Sequence, residues 1–264
     1  MGILNVTPDS FSGDGLAVGE TAVFRAVAQA QQFVADGADI IDIGGESTRP
    51  GSEPVSEAEE LARILPVITA VRQAVSAVIS VDTYRATVAE AALAAGANWI
   101  NDVWGLRMDA AMAPLIAKTG CPVVIMHNRS QPKNVAQAER LGGRYVGIHY
   151  DDLLADVAHE LEESIRIARL AGVQDRQIIL DPGIGFGKTV AQNVQLLNRL
   201  DHFKKMGFPI LIGPSRKSFI GYTLDLPPDQ RVEGTAATVA IGIDRGADVV
   251  RVHDVQAMVR VARM

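Results

Sequence analysis

The chain has 264 residues, 48% of them apolar and 5% aromatic, and a formal charge of −6. This length suits one α/β domain spanning 1–264, and an acidic chain with no basic run argues against a nucleic-acid partner. A single cysteine, Cys121, excludes an internal disulfide and fits a reducing, cytoplasmic setting, while no stretch reads as a signal peptide or as long enough to span a membrane.

In chain order, short apolar runs alternate with longer Ala-rich helical patterns. GILNV at 2–6 reads as the first strand, followed by a Gly-rich loop and a helix over 21–36. ADIIDIG at 38–44 is the second strand, and 56–74 its helix, with Ser56 and Glu59 spaced as a capping box. AVISVD at 77–82 and NWIND at 98–102 are the third and fourth strands, with helices to 95 and over 109–118. PVVIMH at 122–127 is the fifth. A polar loop of about twenty residues, longer than most connections, then leads to a helix over 149–170. QIILD at 177–181, FPILIG at 208–213 and DVVRVH at 248–253 complete eight strands. Helices are expected over 192–205 and 232–245, with a short one at the end.

Eight strand–helix units with no composition break predict a single-domain (β/α)₈ barrel. A doubly wound open sheet is the competing architecture.

A barrel carries its active site at the C-terminal ends of its strands. Those positions hold Asn5, Asp42, Asp82, Asn101, Asp102, His127, Asp181, Arg251, His253 and Asp254, with Glu46, Thr48 and Arg49 in the second loop. Arg216, Lys217 and Ser218 follow the seventh strand. Asp82, Asn101 and Asp181 surround the mouth and suit a ligand rich in N–H donors, such as a fused heterocycle. Lys217, Arg251 and His253 cluster where barrels commonly bind phosphate. The residues alone therefore suggest a polar heterocycle carrying a phosphate or diphosphate.

Each residue also has a plainer reading. One strand-end Asp is often only a helix cap, but six polar groups converging on one mouth are hard to explain that way. His127 could equally fix its neighbouring loop. His149, His159 and His202 read as solvated, and no His-Glu-x-x-His zinc pattern occurs. Cys121 reads as a small buried residue. Lys217 could form a Schiff base in an aldolase, although a phosphate site explains it without covalent chemistry. DPGIGFGKT at 181–189 looks like a phosphate-binding P-loop, but Pro182 stands where the first glycine belongs. Lys188 in that stretch is expected at the surface, opening the sixth helix.

The motifs GILNVTPDSFS, ADIIDIGGESTRPG, ISVDTYRA, NDVWG, MHNR, DPGIGFGKT, GPSRKS, EGTAATVA and ADVVRVHDV, in this order, resemble dihydropteroate synthase. The resemblance covers nearly the whole chain. It implies joining of 4-aminobenzoate to 6-hydroxymethyl-7,8-dihydropterin diphosphate, with release of diphosphate, in folate synthesis. It implies pterin contacts by Asp82, Asn101, Asp181 and Lys217, and a diphosphate end at Asn5, Arg49, Arg251 and His253, with Asn5 near a Mg²⁺ cofactor. It implies a ligand contact by Thr48 and an aminobenzoate pocket of Phe11, Pro50, Lys217 and Ser218. Lys217, Arg251 and His253 would carry catalysis. It further implies a homodimer built through outer helices, small-molecule substrates with no membrane partner, and a sulfonamide target.

Two rivals share the pterin-binding barrel. One is a methyltetrahydrofolate-dependent methyltransferase, which has no need of Lys217, Ser218 and the Arg251–His253 pair for diphosphate. The other is a pterin-binding paralogue without synthase activity. The first loop keeps this second rival open: it reads Ser-Phe-Ser-Gly-Asp-Gly, with Gly13 and Asp14 exchanged relative to the usual family order.

Overall fold

The computed structural model describes residues 1–7, 20–47, 55–130 and 134–264. Strands β1 (Gly2–Asn5), β2 (Ile40–Gly44), β3 (Val78–Asp82), β4 (Trp99–Asp102) and β5 (Val123–Met126) run parallel in chain order. A two-stranded antiparallel ribbon, β6 (Val135–Ala136) and β7 (Arg144–Tyr145), follows. β8 (Ile178–Asp181) then extends the sheet beside β5. β9 (Leu211–Ile212) and β10 (Val249–Val250) form a separate parallel pair. Isolated bridges, Leu180 to Ile210 and Gly2 to Val252, join that pair to β8 and to β1. Leu180 N–H donates to Pro209 O at 2.9 Å and Ile3 N–H to Val252 O at 3.0 Å, so the ring of eight strands closes. The chain is a (β/α)₈ barrel.

The helices form the outer ring: α1 (Glu20–Ala35), α2 (Glu57–Ala74), α3 (Ala86–Ala94), α4 (Met112–Thr119) and α5 (Leu153–Leu170). They continue with α6 (Val190–Asn198), α7 (Leu200–Lys204), α8 (Ser218–Leu224), α9 (Val232–Asp244) and α10 (Val255–Arg263). The starts of α2, α5 and α6 follow cap chemistry. Asp152 accepts from the N–H groups of Leu154 and Ala155 at 3.0 and 3.1 Å, which moves the start of α5 from the expected 149 to Leu153. Thr189 and Gln192 form a reciprocal capping box on α6. On α2 only half of the expected box forms: Ser56 Oγ accepts from Glu59 N–H at 3.2 Å, but the Glu59 carboxylate turns to Arg63 instead.

Three further differences from the sequence reading lie in the connections. The expected loop before α5 carries the β6–β7 ribbon. The expected helix over 192–205 breaks at Arg199, whose φ of −118° and ψ of 30° end α6 and start α7. Helix α8 was not expected.

Alternation along each strand sends one face outward to the helices and one into the barrel. Leu4, Ile41, Ile43, Ile79, Val81 and Ile100 are fully buried in the strand–helix layer. Val124, Ile179 and Leu211 fill the barrel interior, with Met1, Trp99 and Val249 packed against them. Along three of these inward rows the next inward position carries a polar group of the mouth: Asn101, Asp181 and Arg251.

Candidate active site

Asp42 and Asn101 point inward from β2 and β4, and Asp82 from the end of β3. Asn101 Nδ2 donates to Asp42 Oδ2 at 3.2 Å. From beyond β10, Arg251 crosses the mouth: its Nε lies 2.6 Å from Asp42 Oδ2 and its Nη2 2.8 Å from Asp82 Oδ2. Asp42 Oδ1 and Ser80 Oγ, on residues paired across β2 and β3, have no hydrogen-bond partner among the described residues although both are buried. Opposite, Asp181 ends β8, and its Oδ1 accepts from Gly183 N–H at 2.7 Å.

Burial pushes the Asp82 carboxyl up to about 7, against the pull of Arg251, and the Asp181 carboxyl up to about 6. The charges of Lys217 and Arg251 act on both. Two carboxyls and an amide thus line a shielded mouth beside two fixed cations.

The cationic side is built from the ends of β9 and β10. His253 Nδ1 sits 3.0 Å from Ser215 Oγ. Arg216, in the left-handed region at φ 55°, forms a two-point ion pair with Asp254. Its backbone is fixed on both sides: Arg216 N–H donates to Thr235 Oγ1 at 3.0 Å, and buried Arg231 donates to Arg216 O at 3.0 Å. That sets the direction of the next residue, Lys217, whose Nζ lies 3.8 Å from the centroid of the Phe186 ring, a cation–π contact. Ser218 opens α8 and is half-buried, and Asn5 is half-buried at the end of β1.

Lys188 corrects the sequence reading. It is 3% exposed, not a surface residue. Its ammonium donates to Gly183 O, Phe186 O and His127 Nδ1, each at 2.9 Å. Those three acceptors, from its own loop and from the end of β5, replace water. Burial pulls the Lys188 pKa down to about 7 and that of His127 to about 3, where the nearby Lys188 charge adds to the effect. Because Nδ1 accepts, the proton of neutral His127 sits on Nε2. Nε2 lies 3.2 Å from Glu160 Oε2, close enough for attraction but off the line of a hydrogen bond. Glu160 is held in turn by Arg129 at 2.5 Å and Arg107 at 3.0 Å. His127 therefore anchors its surroundings, the second of the two readings given for it.

Asp102 also leaves the candidate list. Both its oxygens accept backbone N–H groups, from Trp104 and Leu106 at 2.8 Å, so it shapes the turn after β4. His149 and His159 are exposed and Cys121 is buried, as expected. Phe11, Thr48, Arg49 and Pro50, with Gly13 and Asp14, lie outside the described residues.

Residues 1–253 match the family described as pterin binding enzyme. The dihydropteroate synthase of Bacillus subtilis is 49% identical over 264 residues, covering 100% of this chain and 86% of the relative. The chain belongs to the dihydropteroate synthase family of pterin-binding enzymes. It is thereby a transferase. The fold agrees: a Clostridium difficile dihydropteroate synthase solved in the presence of pteroic acid superposes with a TM-score of 0.91 at 47% identity, covering 100% of this chain and 94% of that one. The Xanthomonas albilineans synthase in complex with 7,8-dihydropteroate gives a TM-score of 0.86 at 41% identity, covering 100% and 90%.

Within this synthase fold, sequence reasoning passed over three residues, two that the geometry brings to the mouth and one, Lys188, buried in the turn behind it. Asp42 was visible as an inward strand residue but was assigned no partner; Arg251 and Asn101 supply them. Phe186 was hidden inside a stretch read only for its glycines. Lys188 gave no local sign of burial.

Proposed function

We propose that the chain condenses 4-aminobenzoate with (7,8-dihydropterin-6-yl)methyl diphosphate, giving 7,8-dihydropteroate and diphosphate. The observation that carries this reading is the array of buried Asp42, Asn101 and Asp181 with half-buried Asp82, in which Arg251 bridges Asp42 and Asp82. Carboxylates and an amide match the N–H groups of a pterin, and two synthases of the family were solved in the presence of pteroic acid and in complex with 7,8-dihydropteroate.

Asp82 and Asp181 hold the pterin and place negative charge around its ring. Asp42 and Asp82 take Nε and Nη2 of Arg251, while Nη1 bonds to nothing among the described residues and can receive a diphosphate oxygen. Arg251, His253 and Lys217 stabilise the charge that develops as the C–O bond breaks. The bond breaks early, leaving a cation on the exocyclic methylene, delocalised into the pterin. The aryl amine then attacks and loses its proton to solvent, with no strong base required. Thr48, Arg49, Pro50, Phe11 and Ser218 complete the aminobenzoate and diphosphate contacts.

Magnesium takes one or two protein oxygens and completes its shell from substrate phosphates and water. Asn5 offers one such oxygen at the end of β1. No group of three or more His, Cys, Asp or Glu side chains that could hold an ion alone occurs among the described residues. This donor set fits an ion that arrives with diphosphate, where it would neutralise leaving-group charge.

A cytoplasmic homodimer completes the proposal. The near absence of cysteine supports the compartment. Val194 on α6, Leu224 on α8, and Ile241 and Ile243 on α9 leave apolar side chains exposed on helices that pack together, which supports pairing there.

The deciding experiment measures diphosphate release with each substrate alone and with both. Release only with both is expected. Pterin binding without release would favour the paralogue. Replacing Arg251 and His253 should depress turnover far more than pterin binding; equal losses would overturn their assigned role.

A further inference from the structure

The stretch from Asp181 to Lys188 makes contacts that pterin and diphosphate binding do not account for. Gly183, at φ 75°, lies so close to β5 that a Cβ there would stand 1.9 Å from His127 O. A Cβ on Gly185 would meet the Lys217 side chain at 2.7 Å. Phe186 N–H returns to Gly183 O at 3.1 Å, and Gly185 N–H donates to Asn193 Oδ1 at 2.6 Å. Lys188 reaches into the centre of this turn and spends all three ammonium donors there, two of them on Gly183 O and Phe186 O. The hydrogen-bond partners are uncharged, and burying a cation on such partners costs stability that an apolar side chain of similar size would not. What the arrangement secures is position. One end of the turn is Asp181; the other presents the Phe186 ring to Lys217 Nζ.

We propose that Lys188 is a positioning residue of the synthase site, its ammonium fixing the Gly183–Phe186 turn so that the Phe186 ring holds the Lys217 ammonium at the mouth. Lys188 touches no substrate and acts through Phe186. The inference rests on the synthase reading of the site.

The test is a double-mutant cycle on diphosphate release with both substrates present, using Lys188→Met, Phe186→Leu and the double variant. Lys188→Met is expected to lower kcat by about tenfold or more, the scale on which small misplacements act. The KM for pterin diphosphate is expected to change far less, because Asp82 and Asn101 are untouched and Asp181 stays anchored in β8, its carbonyl accepting from His127 N–H. Phe186→Leu is expected to lower kcat in the wild-type background and to add almost nothing in the Lys188→Met background. Losses that multiply independently, or a Lys188→Met enzyme with unchanged kcat, would overturn the proposal. If Lys188→Met does not fold, Lys188→Gln takes its place with the opposite expectation: its amide can still donate to Gly183 O and Phe186 O, so it should retain most of kcat and leave the Phe186→Leu effect intact, and a large loss of kcat would overturn the proposal. A wild-type chain that releases no diphosphate would sink the synthase reading itself, an outcome distinct from additivity in an active enzyme.

Discussion

Arg251 Nη2 lies 2.8 Å from Asp82 Oδ2, so a cation carried beyond the last strand is the counterion of a carboxylate on the third. The same guanidinium serves Asp42 on the second strand. Cation and acid sites that look separate along the sequence are one electrostatic unit.

Arg251→Leu therefore strands two buried carboxylates. Removing one partner of a buried pair costs about 3–5 kcal/mol, and a loss on that scale is expected at neutral pH in denaturant titrations. The gap to wild type should narrow near pH 5, where Asp82, whose carboxyl burial already raises to about 7, takes up a proton. A gap independent of pH would mean that the side chain stabilises by packing alone.

Asp181 provides a second pH signature. Its folded pKa, about 6, lies above the ordinary value of 3.8. A carboxyl raised in this way contributes stability that is fully present below the unfolded pKa and lost as pH rises through the folded one. Between about pH 4 and 6 the ligand-free wild type should therefore lose stability relative to Asp181→Asn, which keeps an acceptor for Gly183 N–H. Thermal melts of both proteins across that range check this. Binding of pteroate should strengthen over the same interval, as Asp181 ionises to meet ligand N–H groups.

Gly183→Ala should be among the worst single changes in the chain. The new methyl would lie 1.9 Å from His127 O, on a backbone at φ 75°. Overpacking and left-handed strain together predict a loss of about 3 kcal/mol or more. Gly120→Ala is the control, since it shares a positive φ of 73° but has nothing within 4 Å. It should cost about 1 kcal/mol. Similar melting temperatures for the two variants would contradict the close approach to β5.

Chelation of Mg²⁺ is expected to abolish diphosphate release while leaving pteroate binding unchanged, because the ion proposed beside Asn5 would complete its shell with diphosphate oxygens. Calorimetry of pteroate with and without chelator checks the second half. Loss of pteroate binding would assign the metal to the pterin pocket instead.

The barrel and the inward acids were legible because they follow from repetition. Strand alternation and the rule for strand ends together pick out Asp82, Asn101 and Asp181 without any coordinates. Short elements escaped: strands β6 and β7 have two residues each, too few to show a period, and helix α8 has seven. Arg199 interrupts a helical pattern that the sequence carries across without a Gly or Pro. Lys188 escaped for another reason. Its burial depends on His127, 61 positions away, and a lysine after a glycine at a helix start is locally identical to a solvated one.

The ring is not uniformly stitched. β1 to β5 and β8 share one continuous ladder, whereas β9 and β10 form a separate pair that meets β8 and β1 through isolated bridges and a few backbone hydrogen bonds. Asp42, Asp82, Asn101 and Asp181 all stand on the continuous part, while Lys217, Arg251 and His253 follow the two short strands. The acids and the cations thus answer to different parts of one backbone: a change in the continuous ladder would move the acids, and a change in β9 or β10 would move the cations.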